Sequence, residues 1–282
     1  MSDWSPRGRG GTRIAEDDMI IDAHAHVWPD AIAEKALAGN RLPGLSAVDD
    51  GRAGTLAERM TANGVDRSLA LGVTGTARHL DATNRFIGSL DPSFFTPMGS
   101  VHVDLSVEEN LDSLRRNGIH GVKVHPLFQG FGLRHPRLWE LFEAFGSDIP
   151  VITHVGAGGS GEVNDLSTPA MLREIVTTFP DLRIVACHFG GYHMLAEAEE
   201  ELRGLPIVLE TSWPPSLASV SPETAQRIIS RHGAERVVFG SDWPMTDPAA
   251  EIAAVRALGL GDDAEQLVLG GSLARVMGLP AA

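Results

Sequence analysis

The histidines of this chain are concentrated at the ends of short apolar runs that are rich in valine and isoleucine. Runs of this kind are typical of buried parallel strands. An imidazole can bind a metal ion or transfer a proton, and an aspartate at a further strand end adds a carboxylate to the set. The side chains at these positions are His24, His26, His125, His154, His188 and Asp242.

His24 and His26 are separated by a single residue. Because side chains alternate along a strand, both imidazoles are expected on the same side, where they can hold one cation. Imidazole and carboxylate ligands together suit Zn, Mn, Fe or Ni, and three histidines with one aspartate leave a coordination position open for water. One histidine at a strand end is most often a buried structural residue, whereas five at equivalent positions indicate a shared site.

Eight apolar runs alternate with segments of helical spacing, which is the pattern of βα units around a parallel sheet. Eight such units over about 260 residues favour a closed (β/α)8 barrel, the TIM barrel fold, whose active site lies in the loops after the strands. The predicted strands cover residues 19–26, 67–72, 95–102, 120–125, 150–154, 183–188, 206–211 and 236–242. Helices are predicted at 55–63, 107–117, 138–146, 169–179 and 222–233, and no element is evident in 28–52, 125–135 and 155–168.

The amino-acid composition restricts the kinds of molecule that this protein is expected to bind. The chain has 37 acidic and 23 basic residues, a formal net charge of −14, which disfavours nucleic acid or an anionic membrane surface and favours a small-molecule substrate. Every apolar run is too short to span a membrane. Cys187 is the only cysteine, which excludes a disulfide within the chain and favours a reducing compartment, so we predict a cytoplasmic protein.

The first 18 residues are polar and glycine-rich and lack the apolar core of a secretory signal. We therefore predict a flexible N-terminal tail over residues 1–18 and one catalytic barrel domain over residues 19–282. A homodimer is the default expectation for such a barrel.

Five motifs in chain order, IDAHAHVWP, GVKVHP, VITHVG, IVACHFGG and VVFGSDWP, resemble those of the amidohydrolase superfamily, and specifically its single-metal branch, amidohydrolase family 2. The resemblance spans about residues 19 to 280. It implies one divalent metal ion, zinc in the first place and manganese in the second, held by His24, His26, His154 and Asp242. It also implies that His188 positions or activates a water at the metal, and that Asp242 acts both as ligand and as proton carrier.

The resemblance implies a hydrolase that uses a metal-activated water on an amide, a lactone or a related ester. The same branch also contains metal-dependent decarboxylases of aromatic or unsaturated carboxylic acids, which form the alternative. Several of those relatives carry an acidic residue in place of the first histidine, so His24 favours hydrolysis. A barrel that binds a ligand without catalysis is the third hypothesis, and an intact set of ligands disfavours it.

Lys123 and His125 share the fourth predicted strand and point the same way by alternation. In relatives with two metals, a carboxylated lysine on this strand bridges the ions, and that alternative stays open here. Lys123 is otherwise expected to bind a substrate carboxylate or to be neutralised by an acid inside the barrel. For His125 we expect either a substrate contact or support of a ligand.

Three tryptophans follow predicted strands, where large flat side chains can form the wall of a pocket for an apolar or cyclic substrate. Arg134, in the loop after the fourth strand, is a candidate partner for an acidic group of the substrate, although ordinary solvation is the commoner state of a loop arginine. The tryptophans are Trp28, Trp213 and Trp243.

Overall fold

A computed structural model describes residues 19–39, 45–158 and 161–278 of the chain. Its centre is an eight-stranded parallel sheet in which the strands are neighbours in sequence order, from β1 to β8. The strands are β1 Ile21–Ala25, β2 Arg67–Leu71, β3 Phe95–Ser100, β4 Val122–Val124, β5 Val151–Thr153, β6 Ile184–Ala186, β7 Val208–Glu210 and β8 Val237–Val238.

The sheet closes on itself between its first and last strands. The backbone N–H of Ala23 donates to the carbonyl of Phe239 at 2.9 Å, and that of His26 donates to the carbonyl of Trp243 at 2.7 Å. A sheet of eight parallel strands that is joined in this way is a TIM barrel, so the predicted single-domain (β/α)8 fold is confirmed.

The five helices predicted from spacing are all present, with bounds that agree to within two residues. Two of the segments without an evident element contain a helix, α1 and α5, and the third contains a single 3-10 turn over Gly161–Leu166. The helices are α1 Ala33–Gly39, α2 Ala53–Asn63, α3 Leu80–Gly88, α4 Val107–Arg116, α5 Pro126–Gln129, α6 Pro136–Phe145, α7 Pro169–Thr178, α8 Leu195–Glu201, α9 Pro222–His232, α10 Pro248–Ala257, α11 Asp262–Gln266 and α12 Ser272–Met277.

Local sequence fixes where several of the outer helices begin. Ser106 caps α4 by accepting from the backbone of Glu109, whose carboxylate accepts in return from the backbone of Ser106. Helices α7, α9 and α10 each start with a proline that follows a capping Thr168, Ser221 or Asp247. These caps end the loops that follow the strands, and so they hold the loops close to the barrel mouth.

The core has two parts. One cluster fills the barrel interior with residues such as Leu69, Met98 and Ile152, and a larger cluster lies between the sheet and the surrounding helices. Within the described ranges, no helix is long and apolar enough to cross a membrane. The predicted tail over residues 1–18 lies outside the described residues, and the boundary of the barrel domain at residue 19 stays a prediction.

Candidate metal centre and active site

His188 and Asp242 lie in the segments that follow β6 and β8 and have a backbone conformation that is unusual for their residue types. Both have φ of 60°, in the left-handed region, and the other non-glycine residues with positive φ in the described chain are Phe189 and His193. Such conformations are costly for residues with a Cβ atom and persist where surrounding structure imposes them, often at functional sites. Two of these four residues are ones that the sequence predicts to be catalytic.

Three candidate metal ligands converge at the barrel mouth. The Nε2 atoms of His24 and His26 are 3.1 Å apart, and Asp242 Oδ1 is 3.3 Å from the first and 3.6 Å from the second. Two ligand atoms about 2.1 Å from one tetrahedral ion lie about 3.4 Å apart, so these separations fit a single cation. The register of β1 also shifts between Asp22 and Ala25, an irregularity that spans His24 and is common beside active sites.

His154 and His188 form a second pair, and His188 is hydrogen-bonded to the backbone just after β7. The carbonyl of Ser212 lies 3.0 Å from His188 Nδ1, which must therefore carry a proton, and His188 Nε2 is then free to accept from His154 Nδ1 at 3.1 Å. This order of protons leaves a lone pair on His154 Nε2. That nitrogen is buried and has no hydrogen-bond partner among the residues described, as expected of an atom that binds a metal.

Glu210, at the end of β7, supports both pairs. Its Oε2 atom is 3.0 Å from His24 Nδ1 and accepts from the hydroxyl of Ser212 at 2.9 Å and from the backbone of His188 at 3.3 Å. Since the carboxylate accepts hydrogen bonds, His24 carries its proton on Nδ1 and turns the lone pair of Nε2 toward His26 and Asp242. A carboxylate behind a histidine ligand commonly fixes the imidazole in this way.

Asp22 and Ser241 connect the first and last strands behind the ligands. Asp22 Oδ1 accepts from the backbone N–H groups of His24 and Ser241, both at 2.9 Å, and Asp22 Oδ2 accepts from the Ser241 hydroxyl at 2.6 Å. These bonds fix the backbone beside His24 and Asp242 relative to each other. Burial raises the pKa of Asp22 to about 6, and the bonds from Ser241 and His24 oppose that rise.

Burial dominates the electrostatics of the cluster. It lowers the pKa of His26 to about 3 and the pKa values of His24, His125, His154 and His188 well below the usual range, with the nearby Lys123 among the further causes. The imidazoles are therefore neutral, which is the form that binds metal ions. Burial acts on the carboxyl groups in the opposite direction, raising the pKa of Glu210 to about 7 and that of Asp242 well above its usual value.

A cavity of about 890 Å³, which we call the inner cavity, opens directly beside these ligands. Its polar side chains are His26, His125 and Asp242, so the chemically reactive groups are confined to one part of its wall. The rest of the wall is apolar, in the pattern typical of small-molecule sites. Its other lining residues are Trp28, Ala36, Leu71, Val73, Leu127, Phe128, Gly158, Val163, Pro244 and Met245.

Comparison with known proteins identifies the family of this chain. The model of the amidohydrolase family matches residues 21–276, nearly the whole of the described barrel. The chain belongs to this family. No curated protein matches the sequence of this amidohydrolase at a significant level.

Solved structures similar to this amidohydrolase are distant in sequence. A TIM-barrel protein of Bordetella bronchiseptica has a TM-score of 0.71 at 21% identity, with 92% of this chain and 98% of that chain covered. A Pseudomonas putida protein named as a 2-pyrone-4,6-dicarboxylic acid hydrolase has a TM-score of 0.65 at 20% identity, covering 92% and 97%. A dihydroxybenzoic acid decarboxylase of Polaromonas, with bound manganese and 2-nitroresorcinol, has a TM-score of 0.66 at 13% identity, covering 93% and 97%. At these identities the likeness establishes the fold.

Three of the four predicted metal ligands come close together, and the fourth is not part of their group. Among the described residues, ligand atoms of His24, His26 and Asp242 lie within 4.8 Å of one another, as do those of His24, His188 and Glu210. His154 is in neither group, although its ring lies 4.9 Å from that of His188 and stacks on that of His125 at 4.5 Å. Its assignment as the fourth ligand therefore stays a prediction.

Of the six residues predicted to contact the substrate, two line the inner cavity and four do not. Trp28 and His125 line the inner cavity. Lys123 does not: its ammonium group is fully buried, 3.2 Å from His24 Nε2 and 3.1 Å from Cys187 Sγ.

The other three residues predicted to contact the substrate also do not line the inner cavity. Trp243 is fully buried, and Trp213 is nearly buried with its ring packed against Tyr192. Arg134 is exposed and forms an ion pair of 2.6 Å with Glu174. An arginine that already has a carboxylate partner on the surface is poorly placed to bind a substrate.

Sequence reasoning missed Glu210 and Ser212. Glu210 stands at the end of an apolar run, PIVLET, in the same position that the histidines occupy in other strands, and this was the available signal. Ser212 carries no such signal, because its role depends on where β7 brings it relative to His188. Apart from Trp28, the apolar wall of the inner cavity was also missed, since its residues come from separate strands, short helices and loops that share no local pattern.

Proposed function

We propose that this amidohydrolase is a metal-dependent enzyme that hydrolyses an amide, a lactone or a related ester of a small molecule. The observation that supports it best is the convergence of His24 Nε2, His26 Nε2 and Asp242 Oδ1 at one end of an otherwise apolar cavity. Membership of the family and a neutral set of imidazoles support the same assignment.

The residues present fit a single divalent cation. His24, His26 and Asp242 would hold it, with the bare Nε2 atom of His154 as the fourth ligand. Three imidazoles and one carboxylate suit zinc, and manganese is the second choice. A cation bound there supplies Lewis-acid polarisation of a carbonyl oxygen and makes water more acidic.

Within this proposal the protein side chains orient the reactants and carry the protons. Asp242 presents Oδ1 to the imidazoles, so its other carboxylate oxygen is available to receive the proton of the attacking water and to return it to the leaving group. His188 is held by Ser212 with its Nε2 atom toward His154, which fixes the orientation of both rings. The apolar wall excludes bulk water from the substrate.

Decarboxylation of an aromatic or unsaturated carboxylic acid is the second candidate. It is favoured by the structural similarity to the dihydroxybenzoic acid decarboxylase, whose bound inhibitor, 2-nitroresorcinol, is a flat ring. The largely apolar inner cavity with Trp28 in its wall suits such a ring as well. His24 at the first position of the HxH pair favours hydrolysis.

Metal analysis of the protein purified without added metal tests the proposal first. We expect close to one equivalent of zinc or manganese, and its loss in the His26→Gln variant. His102→Gln is the matched control, because His102 also follows a barrel strand and is nearly buried, yet belongs to neither ligand group. A wild-type protein with well under one equivalent that also fails to bind added zinc or manganese would contradict the proposal.

A screen that records proton release and carbon dioxide release together then separates the two reactions. Hydrolysis of an ester or lactone releases a proton without carbon dioxide, whereas decarboxylation releases carbon dioxide. We expect the first outcome with a library of lactones and esters, and for amides, whose hydrolysis releases no net proton, we expect an amine product detected by an amine-specific assay. Carbon dioxide release with aromatic acids would replace hydrolysis by the alternative. Location in the cytoplasm and a homodimeric state also belong to this proposal, the first supported by the single free thiol of Cys187.

A further inference from the structure

Exposed apolar side chains of this protein are concentrated around the mouth of the inner cavity. In the described ranges, four large apolar side chains are strongly exposed: Ile32 at 48%, Val48 at 55%, Phe128 at 52% and Val163 at 38%. Phe128 and Val163 line the inner cavity, and Val48 is hydrogen-bonded through its backbone to Pro244, which also lines it. Exposed apolar surface gathered at one place indicates a binding surface.

Ile32 belongs to a second, more open cavity, which we call the outer groove. The groove has a volume of about 1310 Å³ and lies between the segment that leads into α1 and helix α3. Its apolar wall includes Ile32, Ala82, Phe86 and Ile87, and Lys35 is an exposed basic residue of its lining.

The inner cavity and the outer groove adjoin each other. Four residues line both of them: Trp28, Ala36, Val73 and Phe128. A molecule that extends along this shared wall can therefore occupy both at once.

Two aromatic rings lie where the polar cluster gives way to this shared wall. The ring of Trp28 stacks on the imidazole of His26 with centroids 6.1 Å apart, and the ring of Phe128 contacts that of His125 at the same distance. A molecule that reaches from His26 and Asp242 into the outer groove lies beside these rings.

We propose that the substrate is an elongated apolar molecule with one reacting carboxyl-derived group. That group lies beside His26 and Asp242, and an apolar substituent, either an alkyl chain or a flat ring system, passes Trp28 and Phe128 and fills the outer groove. This inference rests on the proposed function, because it takes the ligand end of the inner cavity as the reacting end. A second protein or a membrane would cover Ile32 and Phe128 without reaching the ligands, whereas an elongated substrate accounts for the shared lining of the two cavities.

The test uses straight-chain carboxylates from acetate to decanoate as probes, with affinities measured by isothermal titration calorimetry. For the zinc-loaded protein we expect the affinity to rise about two- to fourfold per added methylene group until the groove is filled. For the metal-free protein we expect all members to bind more weakly by a similar factor, with the same dependence on length. The length dependence tests the groove and the common factor tests the metal, so failure of either proposal is visible separately.

Matched variants test whether the alkyl chain of the probe lies in the outer groove. Ile32→Asp is expected to weaken decanoate at least tenfold and to leave acetate unchanged, and Ala82→Trp is expected to do the same by occupying the groove. Val48→Asp is the control, because Val48 is as exposed as Ile32 but lines neither cavity. An affinity independent of chain length, or equal effects of Ile32→Asp and Val48→Asp, would overturn the proposal. So would a loss of self-association in Ile32→Asp with an unchanged length dependence, which would assign the groove to a second copy of the chain.

Discussion

Two sides of the barrel mouth bury polar side chains beside strand ends, but they use different chemical groups. Next to β3 and β4, where Lys123 and His102 are also buried, the strand ends and loops are held by the amides of Asn84, Asn110 and Gln129. The carbonyl oxygens of these amides accept from the backbone N–H groups of Ser100, His102 and His125 at 2.7, 2.8 and 2.8 Å. Their amino groups donate to the carbonyls of Ser100, His102 and Val101 at 3.2, 3.0 and 2.9 Å.

The side formed by β1 and β5 to β8 instead buries groups that titrate. Its imidazoles and carboxyl groups have pKa values shifted by burial away from their charged forms, and they face one another with Lys123 among them. Amides that donate and accept are satisfied by the backbone and stabilise the fold. Titratable groups that are buried close together lose their hydration and stabilise the fold less, and proteins retain such arrangements at functional sites.

The strongest test of this contrast replaces a titratable group of the site by an amide. Asp242→Asn removes the carboxylate that we propose binds the metal and carries the proton, so we expect kcat/KM to fall by at least about 10³-fold. The fold should remain, because the amide oxygen can still face His24. Turnover measured at saturating metal, with circular dichroism and the unfolding midpoint as controls, checks this, and an active variant would remove Asp242 from the mechanism.

The fold and part of this site were predictable from the sequence. Valine-rich runs mark the strands because both faces of a barrel strand are buried, and caps such as Ser106 mark the helix starts. The convergence of His24, His26 and Asp242 could be anticipated because alternation and strand-end placement bring residues of distant strands to one edge.

The rest of the site depends on contacts that no local pattern encodes. Glu210 reaches His24 only because β7 and β1 lie across the barrel mouth, and Lys123 turns toward Cys187 rather than toward the cavity. Trp213 and Trp243 follow strands as Trp28 does, yet only Trp28 lines the inner cavity. Which tryptophan faces a pocket is decided by the path of each loop.

The second test concerns Glu210, whose carboxylate contacts the candidate ligand His24. Glu210 accepts on both oxygens, from the backbone N–H of Ser212 on one and from His24 and His188 on the other. In Glu210→Gln one of these two positions becomes an NH2 donor, so the bonds that orient His24 and its proposed ligand atom Nε2 are disrupted. We expect metal affinity to fall about 10- to 100-fold, the usual effect of such a supporting residue.

Chelator competition measures that affinity, and the absorption spectrum of the cobalt-substituted protein reports the ligand geometry. Glu251→Gln serves as the matched control, since Glu251 is an almost fully buried carboxylate outside both candidate ligand groups. Equal metal affinities for wild type and Glu210→Gln would mean that Glu210 does not orient His24.

The third test removes a buried amide on the β3 and β4 side of the barrel mouth. Asn84→Ala leaves the backbone N–H and carbonyl of Ser100 and the hydroxyl of Ser113 without their partner. Unsatisfied buried groups cost about 1–3 kcal/mol each at most, so we expect the free energy of unfolding to fall by about 2–3 kcal/mol. Urea denaturation measures this loss, and metal affinity should stay unchanged. A large loss of metal affinity at full folding would erase the distinction between the two sides.

The smallest expected effect separates burial of a carboxylate from its use in the site. Glu251 is buried in α10, where its carboxylate accepts from the backbone of Leu217 at 2.9 Å, and burial raises its pKa above the usual value of 4.5. The folded state therefore binds this proton more tightly than the unfolded chain. Its contribution to stability is full below pH 4.5 and is lost as the pH rises through the folded-state pKa.

Glu251→Gln removes that loss, because an amide stays neutral at every pH and its oxygen can still accept from Leu217. We expect the variant and the wild type to be equally stable at pH 4, and the variant to be more stable by about 1 kcal/mol at pH 8, the scale of one buried polar interaction. Urea unfolding at both pH values measures the difference, with turnover expected to be the same for both proteins. A gain of equal size at pH 4 and pH 8 would trace the effect to packing, and a loss of turnover would extend the functional side of the barrel to α10.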